Sequence, residues 1–447
     1  MSIKINISQY AQVAMKELKD HGFEAFVVGG CIRDSIMGKN ANDWDMTTSS
    51  TPEETLEVFK NYRTIPTGIK HGTITVLIDK QPLEITTFRI DGEYTDNRRP
   101  DNVNFTRNIE NDLSRRDFTV NAMAYNETEG IVDLFGGIED IENKTIRCVG
   151  NPDKRFHEDA LRIMRAIRFS ATLGFKIEKE TAESIKRNRH LLKNIAAERI
   201  RVELEKLLLG DDAERILLDF SDVIFEIIPE LKETSAVEQN CPYHIHNVWH
   251  HIVKSVAVSE KNKYIRLAML LHDIGKPKMK TTDEKGQDHF KGHAAVSADI
   301  AYEILKKLRY DNKTISTVTK LIFHHDDRLY NSPQNIKKHA SKYGFEFLYL
   351  ADKVSRADIL AQNPELADRI SLCDNYINEL KKLQKEKLCL NISDLAVNGN
   401  DLINLGFKGK EIGETLEKLL DKVLKNEIQN SKESLYKFLM EEKQNEI

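Results

Sequence analysis

The stretch that most constrains this chain is residues 26–47, Phe-Val-Val-Gly29-Gly30-Cys-Ile-Arg33-Asp34-Ser-Ile-Met-Gly38-Lys-Asn-Ala-Asn-Asp43-Trp-Asp45-Met-Thr47. Residues 25–28 are apolar and β-rich, which predicts a short buried strand. The glycine pair then lets the backbone turn sharply and approach a ligand closely. Cys31 to Met37 fits one or two helical turns ended by Gly38, and a helix opening on a glycine turn presents free N–H groups suited to phosphate. Asp43 and Asp45 alternate with Trp44 and Met46, so on a strand both carboxylates share one face. Side by side they repel each other. A divalent cation relieves that, and Mg²⁺ is commonly held by one or two carboxylates plus substrate phosphates.

A chain of 447 residues exceeds one core, so two to four domains are expected. No run of eighteen apolar residues occurs and Met-Ser-Ile-Lys-Ile-Asn is no signal peptide, which predicts a cytoplasmic protein without membrane association. Five scattered cysteines without a C-x-x-C pair read as reduced thiols. The formal net charge of -5 does not mark a nucleic-acid binder, but residues 151–210 hold 14 Lys/Arg against 9 Asp/Glu. Such a stripe can track a phosphate backbone or serve as an ordinary salt-bridged surface.

Ile7 to Gly22 reads as an amphipathic helix with a glycine C-cap. Thr51-Pro52-Glu53-Glu54 reads as a helix start. Thr73 to Ile78 and Leu83 to Arg89 read as paired strands, the second carrying Glu84 as a candidate third acid. Beyond Gly150-Asn-Pro152 strand signals nearly vanish. The expected fold is an α/β head with a mixed sheet and helices over residues 1–150, followed by an all-α body. The body divides into 151–235, 236–375 and 376–447.

Residues 29–47 resemble the signature of the DNA-polymerase-β-like nucleotidyltransferases. More narrowly, they resemble the bacterial class II tRNA CCA-adding enzyme and poly(A) polymerase family. Ser114-Arg115-Arg116-Asp117 matches that family's second motif. Its guanidiniums suit a triphosphate and its acid a sugar hydroxyl. The resemblance implies that Asp117 contacts the ribose and that Arg116 lies at the nucleotide. The polar segment 90–100 resembles the flexible loop that the family links to switching from C to A addition.

His157 to Phe169 reads as one helix on which Asp159, Arg162, Arg165 and Arg168 recur at i, i+3. Asp only accepts hydrogen bonds and Arg only donates them. Cytosine and adenine both present an amino donor beside a ring-nitrogen acceptor, so a fixed Asp–Arg pair accepts C or A. Guanine or uracil would leave unpaired groups. Glu158-Asp159-x-x-Arg162 matches the family's amino-acid template motif. Glu198 to Lys206 resembles its fifth motif, with Arg199 and Glu203 expected to brace the template helix.

Histidines concentrate in residues 241–360. The order His251, His272-Asp273, Asp358 resembles the HD phosphohydrolase superfamily and implies a metal held by those four. His293, His324 and His325 are candidates for a second metal. Imidazole with carboxylate suits Mn, Ni, Fe or Zn without choosing among them, and paired metals activate water against phosphate esters. Glycines and lysines in 398–413 suit a backbone-phosphate turn or a plain helical tail. The resemblance implies a tRNA-holding segment.

These readings converge on a template-independent nucleotidyltransferase that adds CCA to the tRNA 3′ end from CTP and ATP. Asp43 and Asp45 would hold Mg²⁺. Gly29, Gly30, Arg33, Asp34, Arg116, Asp117, Asp159, Arg162, Arg165 and Arg168 would bind the nucleotide. An A-adding-only enzyme or poly(A) polymerase is the alternative within the class. An HD phosphohydrolase with a nucleotide-sensing head is the alternative outside it.

Overall fold

A computed structural model describes residues 5–41, 43–92, 102–327, 333–386 and 388–445. Most of the segment compared with the flexible loop lies outside the described residues. The chain forms two compact units, residues 1–230 with 307–309, and 231–306 with 310–447.

The first unit opens with a helix over Gln9–Asp20, ended as expected at a left-handed glycine, Gly22. Behind it stands a seven-stranded mixed sheet. Its strands are β1 (Ala25–Val28), β2 (Asp45–Thr48), β3 (Arg63–Gly68), β4 (Thr73–Ile78), β5 (Gln81–Thr87), β6 (Met123–Asn126) and β7 (Gly130–Asp133). The order across the sheet is β3-β4-β5-β2-β1-β6-β7. Only β2 and β5 run parallel, with Asp45 opposite Glu84. β1 is buried throughout, which explains its unbroken apolar sequence. β4 alternates, burying Ile74, Val76 and Ile78. Phe26, Val28, Phe88, Leu113 and Ala124 form a core cluster beside β1. Thr51 caps the helix Pro52–Val58 with a reciprocal Glu54 bond, as its sequence predicts. From Pro152 to residue 230 the unit is helical apart from one short strand, Lys176–Ile177.

The second unit is helical apart from the two-residue strands Thr281–Thr282 and Asp288–His289. Its helices include Val248–Val258, Lys263–Leu271, His293–Lys307, Asn312–Phe323, Pro333–Leu360 and Ile370–Lys385. Pro333–Leu360 breaks at Gly344, whose φ is 78°. Leu395, Val397, Leu402, Phe407, Leu416, Leu419, Leu435 and Leu439 form a local core, which accounts for the apolar spacing after residue 388. Among the described residues no helix is long and apolar enough to cross a membrane.

Asp352 is 2% exposed, and its Oδ1 has no hydrogen-bond partner. Burial pushes its carboxyl up to about 6, although Arg356 pulls the other way. The native state therefore holds this proton more tightly than the unfolded chain. Its contribution to stability is greatest below the unfolded pKa and is lost as pH rises to about 6. Asp352→Asn is expected to stabilise the second unit at pH 8 by about 1–2 kcal/mol and to give no gain at pH 4. Thermal melts at the two pH values check this.

Candidate active site and candidate metal centre

β1 delivers the chain into Gly29, whose φ of 78° starts the helix Gly30–Ile36. A side chain at Gly29 would meet Arg116 Nη1 at 3.4 Å, so glycine serves both the turn and the close approach. Arg33 is buried under this turn. It donates to Asn121 Oδ1 at 2.6 Å and to Asp34 Oδ1 at 2.9 Å. Asn121 donates in turn to Asp117 Oδ1 at 3.2 Å, and Arg165 grips Asp117 Oδ2 at 2.7–2.8 Å. One hydrogen-bonded chain thus ties the glycine motif, the Arg-Arg-Asp motif and the helical region together. Burial opposes ionisation of Asp117, but Arg165 and Arg162 outweigh it and hold the carboxyl down to about 2.

Asp43 precedes β2 and Asp45 begins it; both are exposed while Trp44 and Met46 are buried, so the alternation holds. Glu84 is opposite Asp45 on β5. Desolvation, Asp43 and Glu84 push the Asp45 carboxyl up to about 6, with Arg116 pulling it down. A carboxylate raised by its acidic neighbours suits a divalent cation. Arg116 is fixed by Asp112, at 3.1 Å, yet its buried Nε has no partner.

Asp112 had no sequence-level assignment. It is fully buried, binds Arg115 at 2.6 Å as well as Arg116, and accepts from Thr47 Oγ1 at 3.3 Å. Its Asp-x-x-Arg-Arg spacing was the available signal.

The template region differs from the single helix expected. Pro152–Glu158 and Leu161–Leu173 are separate helices, broken at Asp159 with φ -137° and ψ 102°. Asp159 is bound by Arg199 at 2.9 Å. Arg162 donates to Glu158 Oε2 at 2.8 Å, Arg115 O at 2.7 Å and Arg155 O at 3.2 Å. The two side chains are thus engaged elsewhere, because the break turns Asp159 out of the i, i+3 register. The expected Arg199–Glu203 brace is also rearranged. Glu203 binds Arg168 at 2.8 Å, and Arg168 stacks 3.5 Å from the Phe169 ring centroid. Both residues brace the template region across helices instead of pairing along one.

The second unit assembles its own polar centre around Asp273, which is 1% exposed. His251 comes from the helix Val248–Val258, and His272 with Asp273 closes Lys263–Leu271. His251 Nε2 and His272 Nε2 stand 3.3 and 3.2 Å from Asp273 Oδ2. Asp358 Oδ1 is 2.9 Å from His251 and 3.5 Å from His272. Asp273 Oδ1 faces His293 Nε2 at 3.2 Å and His325 Nε2 at 3.7 Å. Two compact groups result, His251–His272–Asp273 and Asp273–His293–His325, joined by one carboxylate. Despite burial, His272 and Lys276 hold Asp273 well below the ordinary carboxylate range, and His251 and His272 do the same for Asp358.

His324 belongs to neither group; its Nδ1 meets Asp327 Oδ2 at 2.5 Å and its ring packs on Tyr343. Consecutive residues leaving a helix end point different ways, and His325 is the one turned inward. Gly275 permits the close packing. A Cβ there would lie 2.8 Å from His293 O and from Ser297 N. Lys276, His244 and Gln239, unassigned from sequence, also reach this centre; the Lys276 ammonium lies 2.7 Å from Asp273.

Residues 25–147 match the family model described as the poly A polymerase head domain. Residues 174–234 match the probable RNA and SrmB-binding site of polymerase A, and 292–439 a putative tRNA nucleotidyltransferase domain 2. The chain is 36% identical to the CCA-adding enzyme of Ligilactobacillus salivarius, over 96% of each protein. It is 34% identical to that of Lactobacillus helveticus, with the same coverage. The chain belongs to the CCA-adding enzymes. A crystal structure of the Bacillus stearothermophilus CCA-adding enzyme in complex with CTP superposes with a TM-score of 0.74, at 29% identity and 98% coverage of both chains. Membership makes this protein a tRNA nucleotidyltransferase, with the mixed-sheet head and helical body of the CCA-adding fold. A divalent cation at the head is what the family implies, and the carboxylates of Asp45 and Glu84 stand opposite each other there across β2 and β5.

Proposed function

We propose that the protein adds CCA to the 3′ end of tRNA from CTP and ATP, with Asp43 and Asp45 holding Mg²⁺. The supporting observation is the bonded chain Arg33–Asn121–Asp117–Arg165, set beside the Asp45–Glu84 pair. When bound, the metal ions neutralise the triphosphate and activate the primer 3′-hydroxyl. Gly29 and Gly30 let the backbone approach the phosphates, and Arg116 offers the free Nε–H there. Arg33 and Asp34 fix the turn beneath. Asp117, kept ionised, accepts from a ribose hydroxyl. Asp159 and Arg162 read the base after exchanging their present partners, while Arg165 and Arg168 position that helix. A tRNA acceptor arm is recognised by shape and backbone.

Transcripts lacking CCA, ending in C, or ending in CC, supplied with CTP and ATP separately and together, test this reading. The expected result is C, C, then A, followed by a stop. Addition of A alone to the CC-ended transcript makes it an A-adding enzyme, and unlimited A addition makes it a poly(A) polymerase.

A second reading is favoured by the Asp273 centre. Four imidazoles and two carboxylates within the second unit suit a pair of divalent transition ions in an HD-type site. Such ions would supply a nucleophilic water for phosphate-ester hydrolysis. His251, His272 and Asp358 would hold one ion, and His293 and His325 the other, with Asp273 common to both groups. This activity should survive loss of Asp43 and Asp45.

A further inference from the structure

We propose that Lys276 is a resident cation that restrains metal binding at the Asp273 centre; this rests on the metal-site reading of that centre. Its ammonium lies 2.7 Å from Asp273 Oδ2, the oxygen that also faces His251 and His272. The side chain is 5% exposed. Gln239 Oε1 accepts from it at 2.8 Å, His244 Nε2 lies at 3.4 Å, and the Phe290 ring centroid is 5.2 Å away. These contacts hold the ammonium against Asp273 and away from water.

Two effects follow, with the same sign. A divalent ion seated on Asp273 Oδ2 stands next to a fixed positive charge at short range, where water does not screen the repulsion. Without that ion, Lys276 supplies the countercharge that the buried Asp273 carboxylate requires, so this part of the metal-free centre's charge is already offset. Removing the ammonium takes away the repulsion and leaves Asp273 in need of a cation. The wild-type centre is therefore set to fill only when metal is plentiful, and the Oδ2 side is the exchangeable one. The Oδ1 side, facing His293 and His325, lies on the other edge of the carboxylate.

The test is calorimetric titration of Mn²⁺ into the full chain. The chain is stripped of metal and carries Asp43→Asn and Asp45→Asn to silence the head. Lys276→Met is expected to bind Mn²⁺ at least ten-fold more tightly than this parent, and Lys276→Arg, which keeps the charge, to match it. Equal or weaker binding by Lys276→Met overturns the proposal and makes Lys276 an orienting group for Asp273. Lys276→Gln gives the same readout should the Met variant fold poorly. If neither the parent nor Lys276→Met binds Mn²⁺, the metal-site reading fails as well, so the two failures are distinguishable.

Discussion

Asp45→Asn is expected to reduce nucleotide incorporation by at least about 10²–10³-fold while leaving the fold intact. The argument starts from electrostatics. Asp45 is crowded by Asp43 and by Glu84 across the β2–β5 register, and its carboxyl sits near 6 before any metal arrives. A group that strained contributes nothing to folding through its charge, so an amide at this position should melt no lower than the wild type. Steady-state incorporation of CTP into a tRNA lacking CCA, read beside a thermal melt, separates the two quantities. A variant that melts normally and still incorporates CTP at wild-type rate would remove Asp45 from the chemistry. Glu84→Gln is the graded comparison, since it relieves the same repulsion from the neighbouring strand.

The second large effect is at Asp273. Asp273→Asn should empty the second centre of transition metal and abolish any phosphate-ester hydrolysis it performs, with CCA addition retained. This change has a structural cost as well. Lys276 would be left buried beside an amide, and stranding one member of a buried ion pair costs about 3–5 kcal/mol. Asp358→Asn is therefore the cleaner companion: Asp358 is half-buried and lies on the histidine side, and Gln362 donates to its Oδ2 at 2.8 Å. Metal content by emission spectroscopy, measured with both hydrolysis and nucleotide addition, decides the matter. Metal retained by both variants would overturn the binding assignment.

What the sequence disclosed and what it concealed divide along a physical line. The glycine turn, the Asp-x-Asp alternation and the Thr51 cap are local, each determined within a few residues, and the fold follows them closely. The histidines gathered around Asp273 were legible as an order along the chain, because each comes from the end or the first turn of a helix directed at one centre. The choice between His324 and His325 was not legible, since it depends on how the helix Asn312–Phe323 is rotated. Asp112 was silent for a similar reason: its importance comes from Thr47, brought over by the sheet, together with the two arginines it holds. At Asp159 the apolar periodicity continues through the break, so nothing in the pattern announces that the helix stops. Arg199 and Glu203 have ideal spacing for each other, yet tertiary packing offers both a better-placed partner.

If Arg162 reads the base as proposed, its bonding changes how base choice has to be understood. Its guanidinium already has Glu158 and the carbonyls of Arg115 and Arg155. A nucleotide read there would enter an exchange, competing with contacts able to re-form. The wrong base would then be refused without stranding any protein group: the arginine would keep its present partners. Fidelity on this scheme is a contest between two satisfied states, and the residues that set its threshold are the ones Arg162 leaves behind.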